Sequence, residues 1–188
     1  MIKKAKDSAA MILDLRGNVG GYVKRLERMA GAFLEKGTKI ADVKGRKAMK
    51  PLAAQTGRES FSGDLVVLVD SESGSSAEVF ARMIQIEGHG KVLGDTTSGK
   101  VMQSRGYGHI SGTGRVVRYG ASVTNADLIM TDGQSLENVG VTPDEIILPT
   151  VEDLAANRDP VMVRAAELLG LEMTPERAGK LFPIEWED

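Results

Sequence analysis

Ser75 and Lys100 each stand where their side chains could do chemistry. Ser75 lies in "VDSESGSSAEVFA", just past an apolar run and at the head of a helical pattern. Backbone N–H groups in the first turn of such a helix have no intrahelical partner and can receive an anion. A serine hydroxyl there would attack a carbonyl with an oxyanion site at hand. Glu78, three residues on, offers a plainer alternative: a capping box in which Ser75 only closes the helix. Lys100 ends "GDTTSGK" (94–100), which fits the phosphate-cradling spacing G-x-x-x-x-G-K. That use needs a hydroxyl after the lysine to hold magnesium, and a helix beyond it. Position 101 is Val, and "VMQSRGYGHISGTG" holds too many glycines for a helix. Nucleotide binding through this loop is therefore the weaker alternative.

A serine needs a base. Histidine is the usual one, but His89 and His109 each stand alone in a glycine-flanked turn and read as surface loop residues. Lysine can replace histidine if it is neutral, and that demands a dry crevice, because desolvation disfavours the ammonium form. Cysteine is absent, so disulfides, thiolate catalysis and Cys-based zinc sites are excluded. No metal site is read from the sequence.

The elements that must position these residues follow a strand, glycine turn, helix order. "AMILDL" (10–15) reads as a buried strand running into Gly17, Gly20 and Gly21. Val23, Leu26, Ala30, Phe33 and Leu34 recur at helical spacing, with Gly37 as the stop. "KIADV" reads as a short strand, and most of 38–63 as surface loop, with no role assigned to 44–62. "DLVVLVD" (64–70) is a second buried strand before "SESGSS" and a helix carrying Ala77, Phe80, Ala81 and Ile84 on one face. "KVLG" (91–94) is a third strand. The glycines after Lys100 favour hairpins, with "RVVRYGASVT" alternating as an antiparallel strand. Asp159-Pro160 and Thr174-Pro175 open two closing helices. This is an α/β pattern with mixed strand directions. The turns at 17–21, 71–76 and 94–100 fall at strand carboxyl ends, where active groups gather in such folds.

At 188 residues and 41% hydrophobic, the chain can bury one sizeable core. Lys and Arg number 24 against 26 Asp and Glu, a formal charge of -2, so neither nucleic acid nor an anionic membrane is expected as a partner. No stretch is long enough for a membrane span, and the opening residues do not read as a secretory signal. "MIKKAKDS" reads instead as the last turns of a helix that begins upstream. Trp186 reads as a packing anchor or an exposed terminus and is given no role.

Four blocks in order resemble the C-terminal processing, or tail-specific, proteases, serine peptidases with a Ser-Lys dyad. They are "MILDLRGNVGG", "VLVDSESGSSAEVFA", "VLGDTTSGK" and "VGVTPDEII", covering roughly 9–148. The resemblance implies Ser75 as nucleophile and Lys100 as general base. It places the oxyanion on the backbone N–H of Ser76 and one from the Gly20-Gly21 turn, with Gln103 and Glu78 in support. The implied fold is the spiral α/β core of the crotonase and Clp-protease type, with residues 1–150 as catalytic core and 151–188 as a helical extension packed on it. No cofactor is implied. The implied substrates are peptides or proteins, taken by their carboxyl-terminal tails, in the periplasm, at the cell envelope or outside the cell; a homo-oligomer is compatible with this. A PDZ domain and the first part of the core would precede Met1. The chain departs from the pattern in two places: Gln103 follows the lysine by three residues where the family often has four, and Ile86-Glu87 stands where some members carry Asp. A noncatalytic peptide-binding or scaffold module of the same fold is the alternative.

Overall fold

The computed structural model describes residues 7–55 and 61–182. The opening MIKKAK and Trp186 lie outside this range. In chain order the elements are β1 (Ala10–Asp14), α1 (Val23–Ala30), β2 (Lys39–Gly45), β3 (Leu52–Ala53), β4 (Asp64–Val69), α2 (Ser76–Glu87), β5 (Lys91–Gly94), β6 (Gln103–Ser111), β7 (Val117–Met130), β8 (Glu145–Ile146), α3 (Val151–Ala155), α4 (Pro160–Leu168) and α5 (Pro175–Gly179).

Parallel and antiparallel pairings divide into two sheets. One is parallel throughout, in the order β1-β4-β5-β8, and the other antiparallel throughout, in the order β3-β2-β7-β6. β4 is one of the two inner strands of the parallel sheet, and its "LVVLV" is buried along its whole length, as a strand covered on both faces must be. Alternation sends Val67 and Val69 to one face, where they meet Phe80 of α2 and Phe33, whose rings pack edge-on at 5.3 Å. Val66 and Leu68 point to the other face, under Val161, Met162 and Ala165 of α4. The sheet is thereby held between α1 and α2 on one side and the carboxyl-terminal helices on the other.

The structure differs from the sequence expectation in two helices. α1 stops at Ala30 rather than running on to the expected stop at Gly37, because the chain at Gly31 lies against the backbone of Gln55: a β-carbon there would stand 2.0 Å from the Gln55 carbonyl oxygen. Single turns carry the chain onward and still bury Phe33 and Leu34. A helix that the sequence reading missed, α3, is closed by Thr150 and Asp153, each accepting the other's backbone N–H. The Asp159 and Thr174 caps stand as expected, accepting the N–H groups of Met162 and Arg177. Within 44–62, β2 ends at Gly45, β3 pairs with it and Phe61 is buried, while 56–60 lies outside the described residues.

β6 and β7 form a long hairpin that leaves the body of the molecule. Its side chains from Ser104 to Asn125 are exposed on both faces, and burial resumes only at Ala126, where β7 pairs with β2.

Candidate active site

Three turns at the carboxyl ends of β1, β4 and β5 form the site. Ser75 occupies the second, with φ 53 and ψ -117. A side chain in this left-handed range is strained by about 1–3 kcal/mol and persists only where its surroundings enforce it. Asp70 does part of that work. Its carboxylate accepts the N–H groups of Glu72 and Ser73 within its own turn and that of Gly17 across in the first turn, at 2.9–3.1 Å. Ser73 is fully buried and donates its hydroxyl to the Leu15 carbonyl at 2.8 Å. The Gly74 N–H donates to the Asn18 carbonyl at 2.9 Å. The first two turns are thus laced together by the Asp70 carboxylate, the Ser73 hydroxyl and one backbone pair.

Gly20 fills the contact between them. With φ +94, it lies so close to the Ser75 turn that a β-carbon would stand 2.6 Å from both the Gly74 carbonyl oxygen and the Ser75 β-carbon, and 2.9 Å from the Ser76 nitrogen. Its own N–H donates to Asn18 Oδ1 at 2.9 Å, so it is committed inside the turn. Gly21 is open, with nothing among the described residues within 4 Å of where a β-carbon would be.

Glu78 is fully buried at 0% exposure and joins the second turn to the third. Its carboxylate accepts the Ser75 N–H at 2.8 Å, the Thr97 hydroxyl at 2.6 Å, the Gly99 N–H at 2.7 Å and the Lys100 N–H at 3.1 Å, with the Ser98 hydroxyl at 3.4 Å. The Glu78 half of the capping box foreseen from the spacing, its carboxylate on the Ser75 N–H, is therefore present but only part of its role. A buried carboxylate surrounded by donors satisfies them all at once, and no water is needed to do so.

The third turn is gripped from its other side by residues that sequence reasoning missed. Glu137 Oε2 accepts the N–H groups of Val101 and Met102 at 2.7 and 2.9 Å. Asn138, at φ 60, donates its N–H to the Gly99 carbonyl at 2.8 Å, and Val141 donates to the Thr97 hydroxyl oxygen at 2.7 Å. The block "VGVTPDEII" had flagged this neighbourhood, but nothing in it singles out Glu137.

The structure thus brings together Ser75, Ser76, Gly20, Glu78 and the backbone of Lys100. The Lys100 side chain is exposed, whereas the sequence reading asked for a dry crevice. Gln103 is half-buried at the start of β6 and lines, with Gly21, a hollow of about 600 Å³. Ile86 packs on the core and Glu87 is exposed. His89 and His109 are both exposed; His89 sits in a turn as expected, whereas His109 lies within strand β6, opposite Tyr119, rather than in a loop.

A second hollow, of about 580 Å³, lies over the same sheet edge on the side of the carboxyl-terminal helices and reaches neither Ser75 nor Lys100. Arg16 crosses it, holding Asp14 at 2.7 Å and Asp159 at 2.8 Å. Burial disfavours the Arg16 charge, but the hydrogen bonds to the two carboxylates outweigh it and hold the pKa of the guanidinium above its ordinary value. This clamp ties the root of the first turn to the cap of α4.

Residues 1–147 match the model of peptidase family S41. The chain belongs to that family. Among S41 relatives, it is 29% identical over 140 residues to the carboxy-terminal processing protease CtpA of Bacillus subtilis, a match covering 73% of this chain and 28% of that protein. This S41 chain therefore spans less than a third of the length of that relative. Its fold is also that of solved S41-type structures. The photosystem II D1 C-terminal processing protease superposes with a TM-score of 0.60 at 24% identity, over 80% of this chain and 38% of that one. The tricorn protease superposes with a TM-score of 0.58 at 24% identity, over 86% and 15%.

Proposed function

We propose that this chain is the core of a serine endopeptidase that cleaves peptide bonds with a Ser75–Lys100 dyad. The observation that carries the reading is the shared hold of Glu78 on both residues: the Ser75 and Lys100 backbone nitrogens donate to the same carboxylate oxygen. They are no further apart than those two hydrogen bonds laid end to end. A nucleophile and a base on separate turns gain most from such a common anchor, because a small misplacement of either costs rate steeply.

In this reading the neutral Lys100 amine takes the proton of Ser75 Oγ as that oxygen bonds to the substrate carbonyl carbon. The tetrahedral oxyanion is received by the Ser76 N–H, at the first position of α2, with Gly21 as second donor; Gly20, its N–H held by Asn18, shapes the turn instead. One such donor is worth about 3–4 kcal/mol to the transition state. Lys100 then returns the proton to the leaving amine as the C–N bond breaks, and water hydrolyses the acyl-enzyme with Lys100 again as base. The exposed lysine requires a cover that expels water from it, and a substrate laid over the three turns supplies one. By likeness to CtpA, a carboxy-terminal processing protease, the substrates are protein carboxyl termini. The family resemblance, rather than that name, puts the proposed site of action outside the cytoplasm.

The exposure of Lys100 is also what favours the second reading, a peptide-binding module without catalysis. A fluorophosphonate probe and peptide cleavage, run on the native protein beside Ser75→Ala and Lys100→Ala, separate the two. The dyad reading expects labelling at Ser75 and loss of cleavage in both variants. Equal cleavage by all three proteins sinks the dyad, and peptide binding with no labelling at Ser75 favours the module.

A further inference from the structure

The hollow between α1 and the root of β6 is lined by Gly21, Lys24, Arg25 and Arg28 on one wall and by Gln103 and Ser104 on the other. All three of those cations are exposed. The single acidic residue of α1, Glu27, is engaged elsewhere: it accepts the side-chain amide of Gln55 at 2.8 Å and the backbone N–H of Ala53 at 3.3 Å. The opposite wall continues into the hairpin. From Thr96 to Ala126 the sequence holds no Asp or Glu, while Lys100, Arg105, Arg115 and Arg118 are basic. The chain as a whole is nonetheless acidic, at -2. Basic side chains thus line one route, from the hairpin through the hollow to Gly21; a second basic run, Lys44, Arg46, Lys47 and Lys50, lies at and beyond the end of β2.

We infer that this route is a docking groove for polypeptide substrates carrying acidic residues beside the bond to be cleaved. The inference rests on the proposed Ser75–Lys100 site and gives it a substrate class. Three arguments select the occupant. Charge complementarity calls for an anionic chain. The hollow ends at the Gly21 turn, and its far wall begins at Gln103, three residues past Lys100, so a chain lying in it is led to the reacting groups. The hairpin cations lie along the length of the ribbon, Arg105 on the face of Tyr107 and Tyr119 and Arg118, opposite Ile110, on the other face, so an extended chain can follow the ribbon, whereas a flat anionic membrane would meet the tip alone. A second copy docking hairpin to hairpin would set basic residues against basic residues. The exposed rings of Tyr107 and Tyr119 add apolar contact, with Arg105 5.5 Å from the first ring and His109 stacked on the second at 5.5 Å.

The test uses labelled dodecapeptides of one sequence in which four positions are Glu, Gln or Lys, and reads anisotropy with the native protein carrying Ser75→Ala. The Glu peptide is expected to bind at least about tenfold more tightly than the Lys peptide, with the difference shrinking as salt rises through a few hundred millimolar. Arg25→Glu with Arg28→Glu should remove the preference, and Arg25→Lys with Arg28→Lys should keep it. Equal binding of the three peptides overturns the inference, as does a preference that survives the charge reversal or binding confined to vesicles of anionic lipid. Fluorophosphonate labelling of the wild-type protein tells the two readings apart. Charge-blind binding with Ser75 labelled rejects the groove alone, and acid-selective binding with Ser75 unlabelled rejects the catalytic reading alone.

Discussion

The backbone N–H of Ser75 and the backbone N–H of Lys100 end on one oxygen, Glu78 Oε2, at 2.8 and 3.1 Å. That oxygen fixes the distance between two turns that follow different strands, and it does so from a position closed to water. Replacing Glu78 with Ala strands a cluster of buried donors, each costing about 1–3 kcal/mol when left unpaired. Glu78→Gln keeps one acceptor but turns an NH₂ group toward donors. The expectation is a loss of at least about 3 kcal/mol for Glu78→Ala, with Glu78→Gln also destabilised, and loss of Ser75 labelling in both. Urea denaturation beside fluorophosphonate labelling measures it; a Glu78→Ala protein as stable as wild type would show that Glu78 is not the anchor.

Gly20 and Gly21 are neighbours in sequence but make opposite predictions. A methyl group at Gly20 must enter space held by the Gly74 carbonyl and the Ser75 side chain, at a φ of +94 that an L-residue adopts only under strain. A methyl group at Gly21 meets nothing within 4 Å among the described residues. Gly20→Ala is expected to cost about 2 kcal/mol or more and to slow Ser75 acylation by displacing its turn, whereas Gly21→Ala should shift stability by less than about 0.5 kcal/mol. Thermal melts of the pair, read together, decide it. Equal effects would mean that the close approach at Gly20 carries no energetic weight.

What the sequence made legible follows from how local each signal is. The buried run "DLVVLV" can only be a covered strand, and the Asp159-Pro160 and Thr174-Pro175 pairs cap helices through contacts three residues away, so these were read at once. The division of strands into two sheets was not, because pairing directions depend on partners far along the chain. The early end of α1 has the same cause, since it is the Gln55 backbone that presses on Gly31. Ser75, Lys100 and Glu78 could be singled out from spacing and resemblance. Asp70 and Glu137 act through backbone N–H groups on other turns, and a carboxylate that holds a distant backbone looks in sequence like any surface residue.

Asp132, at the end of β7, gives the acid limit of one tertiary tie. Burial alone would raise its pKa, but the Gln134 N–H and the Arg82 guanidinium, 2.5 Å away on α2, outweigh that and hold it below the ordinary 3.8. A carboxylate whose folded pKa is depressed contributes stability that is present above the unfolded value and is lost as pH falls through the folded one. Asp132→Asn should therefore cost about 0.5–1 kcal/mol at pH 7, the range of a partly exposed ion pair. The gap from wild type should close below pH 3.8, where the unfolded-state carboxyl protonates first. Denaturant titrations at pH 7 and at pH 3 and below check the sign; a gap that widens toward acid would contradict it.

Glu137 grips the turn just beyond Lys100, accepting two successive N–H groups on one oxygen while Asn138 holds the Gly99 carbonyl. The lysine is thereby held on both flanks, by Glu78 before it and Glu137 after it. Removing the second hold should let the lysine wander without unfolding the core, because Glu137 is only half-buried. Glu137→Ala is expected to lower stability by about 1–2 kcal/mol but to slow Ser75 acylation by about ten- to a hundredfold. Glu137→Gln, which keeps an acceptor oxygen, should recover most of the rate. A role in folding alone would leave the acylation rate of the folded fraction unchanged, so rates measured well below the melting temperature separate positioning from stability. Wild-type acylation kinetics in Glu137→Ala would show that Glu78 alone places the base.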